Sequence, residues 1–316
     1  MKPLVLLTHR IPAAPMRALE AACGVERLDE RPVTRERLIE RLPGNEALLC
    51  LLTVQVDRAV LEAGRDLKVI ANIAVGYDNI DAAAARERGI VVTNTPDVLT
   101  EATAEFTWGL ILAAARRIPE GERLLRRGAW KGWALDFTLG TELVGKQLGL
   151  VGLGRIGRAV AARAPAFGMR VAYADRPGTP PPDAVPDARA LSLDELLVTS
   201  DVVSIHTPLT PETRHLINRR TLARMRRTAI LVNTARGPVV DEEALAWALE
   251  ERLIAAAALD VYEQEPIVHP TLLALENVVL APHMGSGTTE TRTAMADLAV
   301  RNVIAVLNGE PAITPV

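Results

Sequence analysis

Apolar and polar positions change period in a regular order along the chain. Short apolar runs at 4–8, 25–28, 47–52, 69–73 and 90–93 have strand length, and helical patterns fill 13–22, 34–41, 57–63 and 81–88 between them. The order βαβαβαβαβ predicts a parallel sheet with helices on both faces. Residues 93–97 break the pattern as a linker, and 101–116 follow as a long, mostly apolar helix. The arginines between 116 and 127 read as a solvated helix end. Trp130 and Trp133 read as anchors that pack a glycine-flanked loop onto the body.

A second series begins at Lys146. Residues 148–153 form a short apolar run, 156–167 carry small apolar residues at helical spacing, and 169–173 form another strand-like run. A proline-rich surface excursion occupies 177–188. Strands are then expected at 202–205, 229–232, 255–259 and 278–280, with helices at 192–198, 219–224 and 242–251. A last helix, 289–307, ends before Gly309. The pattern predicts an α/β fold with two doubly wound parallel-sheet domains.

The first piece of chemistry lies at the turn after 148–153. Gly152, Gly154 and Gly157 give G-x-G-x-x-G, and the next strand-like run leads to Asp175, 18 residues beyond Gly157. The first glycine permits a tight turn, the second lets a pyrophosphate approach the backbone, and the third allows close helix–strand packing. The following helix N-terminus offers free N–H groups to phosphates. An acid at the end of the second strand accepts from the adenosine ribose hydroxyls. Strand, helix, second strand and acid in one register predict a dinucleotide site.

Composition removes several other classes. The net charge of −3 gives no reason to expect nucleic acid or a membrane surface as partner. No apolar run reaches the roughly 18 residues of a membrane-spanning helix. Cys23 and Cys50 have neither metal-site spacing nor a disulfide framework, so no metal is expected. The N-terminus shows no signal-peptide pattern, and a cytoplasmic location is expected.

Polar residues cluster where the strands of the second series stop. Residues 233–237 (Asn-Thr-Ala-Arg-Gly) follow one strand, 260–265 another, and His283 a third. Strand ends of one parallel sheet open into one crevice, so these groups can converge. An arginine, a carboxylate and a histidine are what interconversion of a 2-hydroxy acid and its keto acid requires. The histidine moves the hydroxyl proton, the carboxylate stabilises and orients the imidazolium, and the arginine's planar fork holds the substrate carboxylate and keto oxygen. In the first series the Ala74-Val75-Gly76-Tyr77-Asp78 loop is the corresponding glycine loop at a strand's end.

These motifs together resemble the D-isomer-specific 2-hydroxyacid dehydrogenase family over essentially the whole chain. The resemblance rests on Val151-Gly152-Leu153-Gly154-Arg155-Ile156-Gly157, on Asn233-Thr234-Ala235-Arg236-Gly237 with Val240-Asp241, on Leu259-Asp260-Val261 with Glu265-Pro266, and on Pro282-His283-Met284-Gly285-Ser286. Residues 95–100 with Trp130 and Trp133 are most similar to the glyoxylate/hydroxypyruvate reductases (glycerate dehydrogenases).

The resemblance implies a flavodoxin-like substrate domain at 1–97 and 284–316 and a Rossmann cofactor domain at 98–283, with hinges near 95–100 and 284–288. It makes Arg236, Glu265 and His283 catalytic. Val75, Gly76, Arg236 and Trp133 would bind substrate. Gly152, Gly154, Arg155, Ile156, Gly157, Asp175, Arg176, Thr207, Pro208, Thr234, Ala235, Asp260, His283 and Gly285 would line the cofactor site. It also implies a homodimer that closes over substrate, with Trp133 reaching the partner's pocket. Asp175 favours NAD because it repels a 2′-phosphate, whereas Arg176 stands where NADP-using relatives place an arginine, so NADP is the alternative. Two other functions fit the same fold. One is a dehydrogenase for another 2-hydroxy acid such as phosphoglycerate, and the other is a dinucleotide-sensing protein of co-repressor type. Formate dehydrogenases pair the histidine with glutamine, and Glu265 argues against them.

Overall fold

The structure, a computed structural model, describes residues 2–28, 30 and 32–316. In chain order its elements are β1 (Leu4–Leu7), α1 (Ala13–Ala22), β2 (Gly24–Arg27), α2 (Arg35–Arg41), β3 (Ala47–Cys50), α3 (Arg58–Ala63), β4 (Val69–Asn72), α4 (Ala82–Glu87) and β5 (Val91–Thr93). There follow α5 (Thr100–Ala115), α6 (Ile118–Arg126), β6 (Gln147–Val151), α7 (Arg155–Arg163), β7 (Arg170–Ala174), β8 (Arg189–Ala190), α8 (Leu193–Thr199) and β9 (Val202–Ile205). The chain closes with α9 (Arg219–Leu222), β10 (Ile230–Asn233), α10 (Glu242–Glu250), β11 (Ala256–Leu259), α11 (Pro270–Ala274), β12 (Val278–Leu280) and α12 (Thr289–Leu307). These elements form two compact units, Met1–Leu99 with Ser286–Val316, and Thr100–Gly285. The divisions lie two residues beyond those expected.

The first unit is a parallel sheet in the order β2-β1-β3-β4-β5, the flavodoxin-like arrangement. Every residue of β3 and β4 is buried, as expected of strands covered on both faces. Asp57 and Asp81 cap α3 and α4 by accepting the N–H of Val60 and Ala84. The last helix, α12, packs on α1, β3, β4 and β5, so the chain's end completes the unit in which it began. Its buried Met295, Val300 and Val303 each contribute on the order of 1.5–3 kcal/mol, which holds the helix down along its length.

The second unit is a parallel sheet in the order β12-β11-β10-β9-β6-β7-β8. The strand order reverses between β6 and β9, the place where such sheets bind ligands at their carboxyl ends. The apolar helix α5 packs against α7, β10, β11 and β12. Trp108 on α5 is buried, donates its indole N–H to the Val160 carbonyl at 3.0 Å, and stacks on Phe167.

Several expectations need correction. The helix expected over 156–167 stops at Arg163; Pro165 turns residues 164–167 into a 3₁₀ turn that ends at Gly168 in the left-handed region. The arginines between 116 and 127 do lie on an exposed helix, α6 and its flanks, where Arg117 pairs with Glu120 while Arg123 and Arg127 pair with Glu276. Trp130 and Trp133 do not anchor their loop, because they are 52% and 81% exposed. Neither α11 nor the two-residue β8 was expected. Among the described residues, no helix is long and apolar enough to cross a membrane.

Candidate active site

The glycine turn is built as its spacing requires. Gly152 sits at φ +94°, and a Cβ there would lie 2.7 Å from the His206 carbonyl oxygen, so no other residue fits without moving β9's end. A Cβ on Gly157 would meet the Gly152 carbonyl at 2.4 Å, so the helix packs directly onto the turn. Nothing lies within 4 Å of a Cβ built on Gly154, the N-cap of α7. That cap has no side-chain hydrogen bond, which leaves the first-turn amides of Ile156 and Gly157 to a ligand. A dinucleotide pyrophosphate fits this open cradle.

Asp175 follows β7 and faces the turn. Its Oδ2 accepts the Leu153 N–H at 2.5 Å and its Oδ1 accepts the Arg176 N–H at 2.6 Å. The Arg176 side chain is 95% exposed, with Nε 4.0 Å from Asp175 Oδ1. The arginine therefore extends into solvent and does not cover the carboxylate. Beside the turn, His206 Nε2 lies 2.8 Å from Ser204 Oγ, and burial pushes its imidazole down to about 3, so this histidine is neutral. Nothing local in the sequence marks His206 as part of this region.

The residues expected to react stand at the carboxyl ends of β10, β11 and β12. After β10, Asn233 shapes the loop: its Oδ1 accepts the Ala235 N–H and its Nδ2 donates to the Arg236 carbonyl. Arg236 is half-buried, and its Nη1 donates to the Ala235 carbonyl at 2.8 Å. After β11, Glu265 Oε1 accepts the Tyr262 N–H at 3.1 Å, and Oε2 lies 2.8 Å from His283 Nδ1. With Nδ1 turned to the carboxylate, Nε2 is the ring nitrogen that Glu265 does not engage. His283 itself holds the left-handed region at φ +53°.

Asp260, expected to line the cofactor site, spends both oxygens on the turn that carries His283. It accepts the N–H groups of Met284 and Gly285 at 2.6 and 2.7 Å. Burial pushes its carboxyl up from the ordinary value, while those amides and His283 act in the opposite direction. Its first task is therefore to position the histidine. Tyr262, also unmarked in the sequence, ties two of the strand ends together: its hydroxyl donates to the Ala281 carbonyl at 2.9 Å, and burial pushes its phenol up to about 12.

Other expected residues are placed as follows. Thr234 Oγ1 lies 3.0 Å from Thr107 Oγ1 on α5, and Ala235 is held by Asn233. The Thr207 N–H side of the β9 loop abuts Gly152, and the Pro208 carbonyl accepts from Thr213. Gly285 lies against Asp260. Val75 and Gly76 belong to the first unit, in the loop after β4. Their carbonyls accept from the side-chain amides of Asn94 and Asn72, and neither N–H has a partner among the described residues.

With this geometry established, similar proteins are informative. Residues 108–285 match the family described as D-isomer specific 2-hydroxyacid dehydrogenase, NAD binding domain. A glyoxylate reductase of Thermofilum pendens is 51% identical over 98% of this chain and 93% of its own length. The solved TT0316 protein of Thermus thermophilus is 48% identical, with a TM-score of 0.92 over 99% of both chains. An NADPH-dependent glyoxylate/hydroxypyruvate reductase of Sinorhizobium meliloti, solved with NADP and malonate, is 35% identical with a TM-score of 0.87 over 100% of this chain and 97% of its own.

Proposed function

Because the chain belongs to the D-isomer-specific 2-hydroxyacid dehydrogenase family, we propose that it reduces glyoxylate and hydroxypyruvate as a cytoplasmic homodimer. It is an NAD(P)-dependent oxidoreductase acting on the CH–OH group of donors. The observation that carries the reading is the 2.8 Å pair of Glu265 and His283 at the ends of β11 and β12. Held at Nδ1, His283 presents Nε2 to the substrate oxygen and gives it a proton as the ketone becomes an alcohol. Glu265 stabilises the charged imidazole before that transfer and fixes the ring. Arg236 holds the substrate carboxylate and keto oxygen with its fork. The turn of Gly152, Gly154 and Gly157 would hold a reduced nicotinamide dinucleotide, which would supply the hydride for carbon 2.

The choice of dinucleotide falls to the end of β7. The Sinorhizobium relative is NADPH-dependent, so this fold takes either cofactor. Here Asp175 stands at that strand's end, and the exposed Arg176 side chain comes no closer than a long 4.0 Å ion pair through Nε. A 2′-phosphate beside that carboxylate is repelled by about 1–2 kcal/mol after screening, which corresponds to roughly tenfold or more in efficiency. We therefore assign NAD as the preferred cofactor. Steady-state assays should give a higher kcat/KM with NADH than with NADPH, and Asp175→Ser should narrow or reverse the ratio. A clear NADPH preference in the unaltered enzyme would overturn the assignment.

The homodimer is supported by the loop after α6. Trp130, Trp133, Leu135 and Leu139 are all largely exposed, an apolar cluster that a lone chain leaves in water. If Trp133 enters the partner's substrate pocket, Trp133→Ala should change the ratio of kcat/KM among glyoxylate, hydroxypyruvate and pyruvate several-fold. Sedimentation should still report a dimer. Unchanged selectivity would confine Trp133 to the subunit contact.

A further inference from the structure

We propose that Glu263 and His215 form a positioning pair that fixes the loop of Arg236 against the loop of Glu265, an inference that rests on the proposed roles of Arg236, Glu265 and His283. Glu263 lies in the loop after β11, between Asp260 and Glu265, and His215 lies between β9 and α9. Both lie where three segments of the second unit meet.

The two loops touch through their backbones. A Cβ on Gly237, the neighbour of Arg236, would fall 1.9 Å from the carbonyl carbon and oxygen of Tyr262 and 2.5 Å from the Glu263 nitrogen. The contact alone allows the loops to slide, because backbone against backbone has no lock. Glu263 supplies one. Its N–H donates to Glu242 Oε1 at 2.5 Å, and its own Oε2 accepts the Glu242 N–H at 3.1 Å, a reciprocal pair at the start of α10. Its remaining oxygen, Oε1, lies 2.5 Å from His215 Nε2.

His215 completes the lock from the other side. Its main-chain N–H donates to the Pro238 carbonyl at 2.8 Å, two residues past Arg236. Its backbone sits in the left-handed region at φ +50°, held there by the Asn218 side chain donating to the His215 carbonyl. A non-glycine residue keeps that conformation only when its surroundings over-determine it. Here the main chain grips the arginine loop while the imidazole grips the carboxylate two residues before Glu265. Glu263 is thus joined at once to the His215 segment, to the start of α10 and to the proton-transfer loop.

Misplacing a reacting group by about 1 Å can cost on the order of 10²-fold in rate. The pair should therefore act on the chemical step and leave the glycine turn, on β6, untouched. In the dimeric holoenzyme, Glu263→Ala should lower kcat for hydroxypyruvate reduction by about 10–100-fold, with the NADH dissociation constant within about twofold of the unaltered enzyme. The primary isotope effect with deuterated NADH should rise as hydride transfer becomes limiting. His215→Ala should show the same pattern to a smaller degree, and His215→Gln, which restores an N–H donor, should recover most of the loss.

The inference is overturned if folded His215→Ala and Glu263→Ala keep kcat/KM within about twofold of the unaltered enzyme. It is equally overturned if activity falls only in proportion to NADH-binding sites, with no change in isotope effect, since that is loss of folded protein. Should Glu263→Ala fail to fold, His215→Ala decides on the same criteria, because its side chain is 42% exposed and its removal leaves no buried cavity. An unaltered enzyme that reduces neither keto acid would overturn the functional reading itself. An active one with unaffected variants overturns the pair alone.

Discussion

His283→Asn should lower kcat for glyoxylate and hydroxypyruvate reduction by roughly 10²–10⁴-fold, the usual contribution of a positioned general acid. Asparagine is the informative replacement because residue 283 sits at φ +53°, a region that asparagine tolerates better than most residues. The turn held by Asp260 through the Met284 and Gly285 amides should therefore survive. The shorter amide can still meet Glu265 from the position of Nδ1, but nothing remains at the position of Nε2 to deliver a proton. NADH affinity should stay within about twofold, since the glycine turn is elsewhere in the unit. A kcat within tenfold of the unaltered enzyme would remove His283 as the proton donor.

The second large effect is expected at Arg236. Arg236→Lys keeps the charge and loses the planar fork, and the cost should be about 2–4 kcal/mol in transition-state binding, or roughly 30–1,000-fold in kcat/KM. The present geometry explains why lysine cannot substitute. Asn233 fixes the loop on both sides of Ala235, and Arg236 Nη1 already donates to the Ala235 carbonyl, so the guanidinium is pre-oriented before substrate arrives. A lysine ammonium has neither the second donor in the plane nor that anchor. The loss should appear largely in KM for the keto acid and in kcat, with NADH binding retained. Near-normal efficiency would place Arg236 outside the substrate site.

What the sequence disclosed about this site follows the range of each interaction. The glycine turn and Asp175 are encoded within one strand–helix–strand stretch, and each glycine answers a steric demand that spacing alone reveals. Helix α12 was legible over its whole span because Thr288 caps it and Gly309 follows it. Glu265 and His283 were legible because parallel strands deliver their ends to one side. Helix α6 was not legible as a separate element: it starts with Pro119 in its first turn, and its arginines find Glu276 far along the chain. The supports of the site were hidden for the same reason. Tyr262 reaches Ala281, Glu263 reaches Glu242 and His215, and Asp260 reaches Met284 across separations that no periodicity encodes. Composition gave no hint that Trp133 would stand in solvent, because an aromatic beside glycines reads the same whether it packs inward or waits for a partner.

The most direct measurement is steady-state oxidation of NADH by the purified enzyme, followed with glyoxylate, hydroxypyruvate, pyruvate and phosphohydroxypyruvate in turn. The expected result is turnover with glyoxylate and hydroxypyruvate, at a kcat/KM above that for the other two, and its loss in His283→Asn. Binding of NADH without oxidation by any of the four acids would contradict a reductase and leave a dinucleotide-sensing protein in its place.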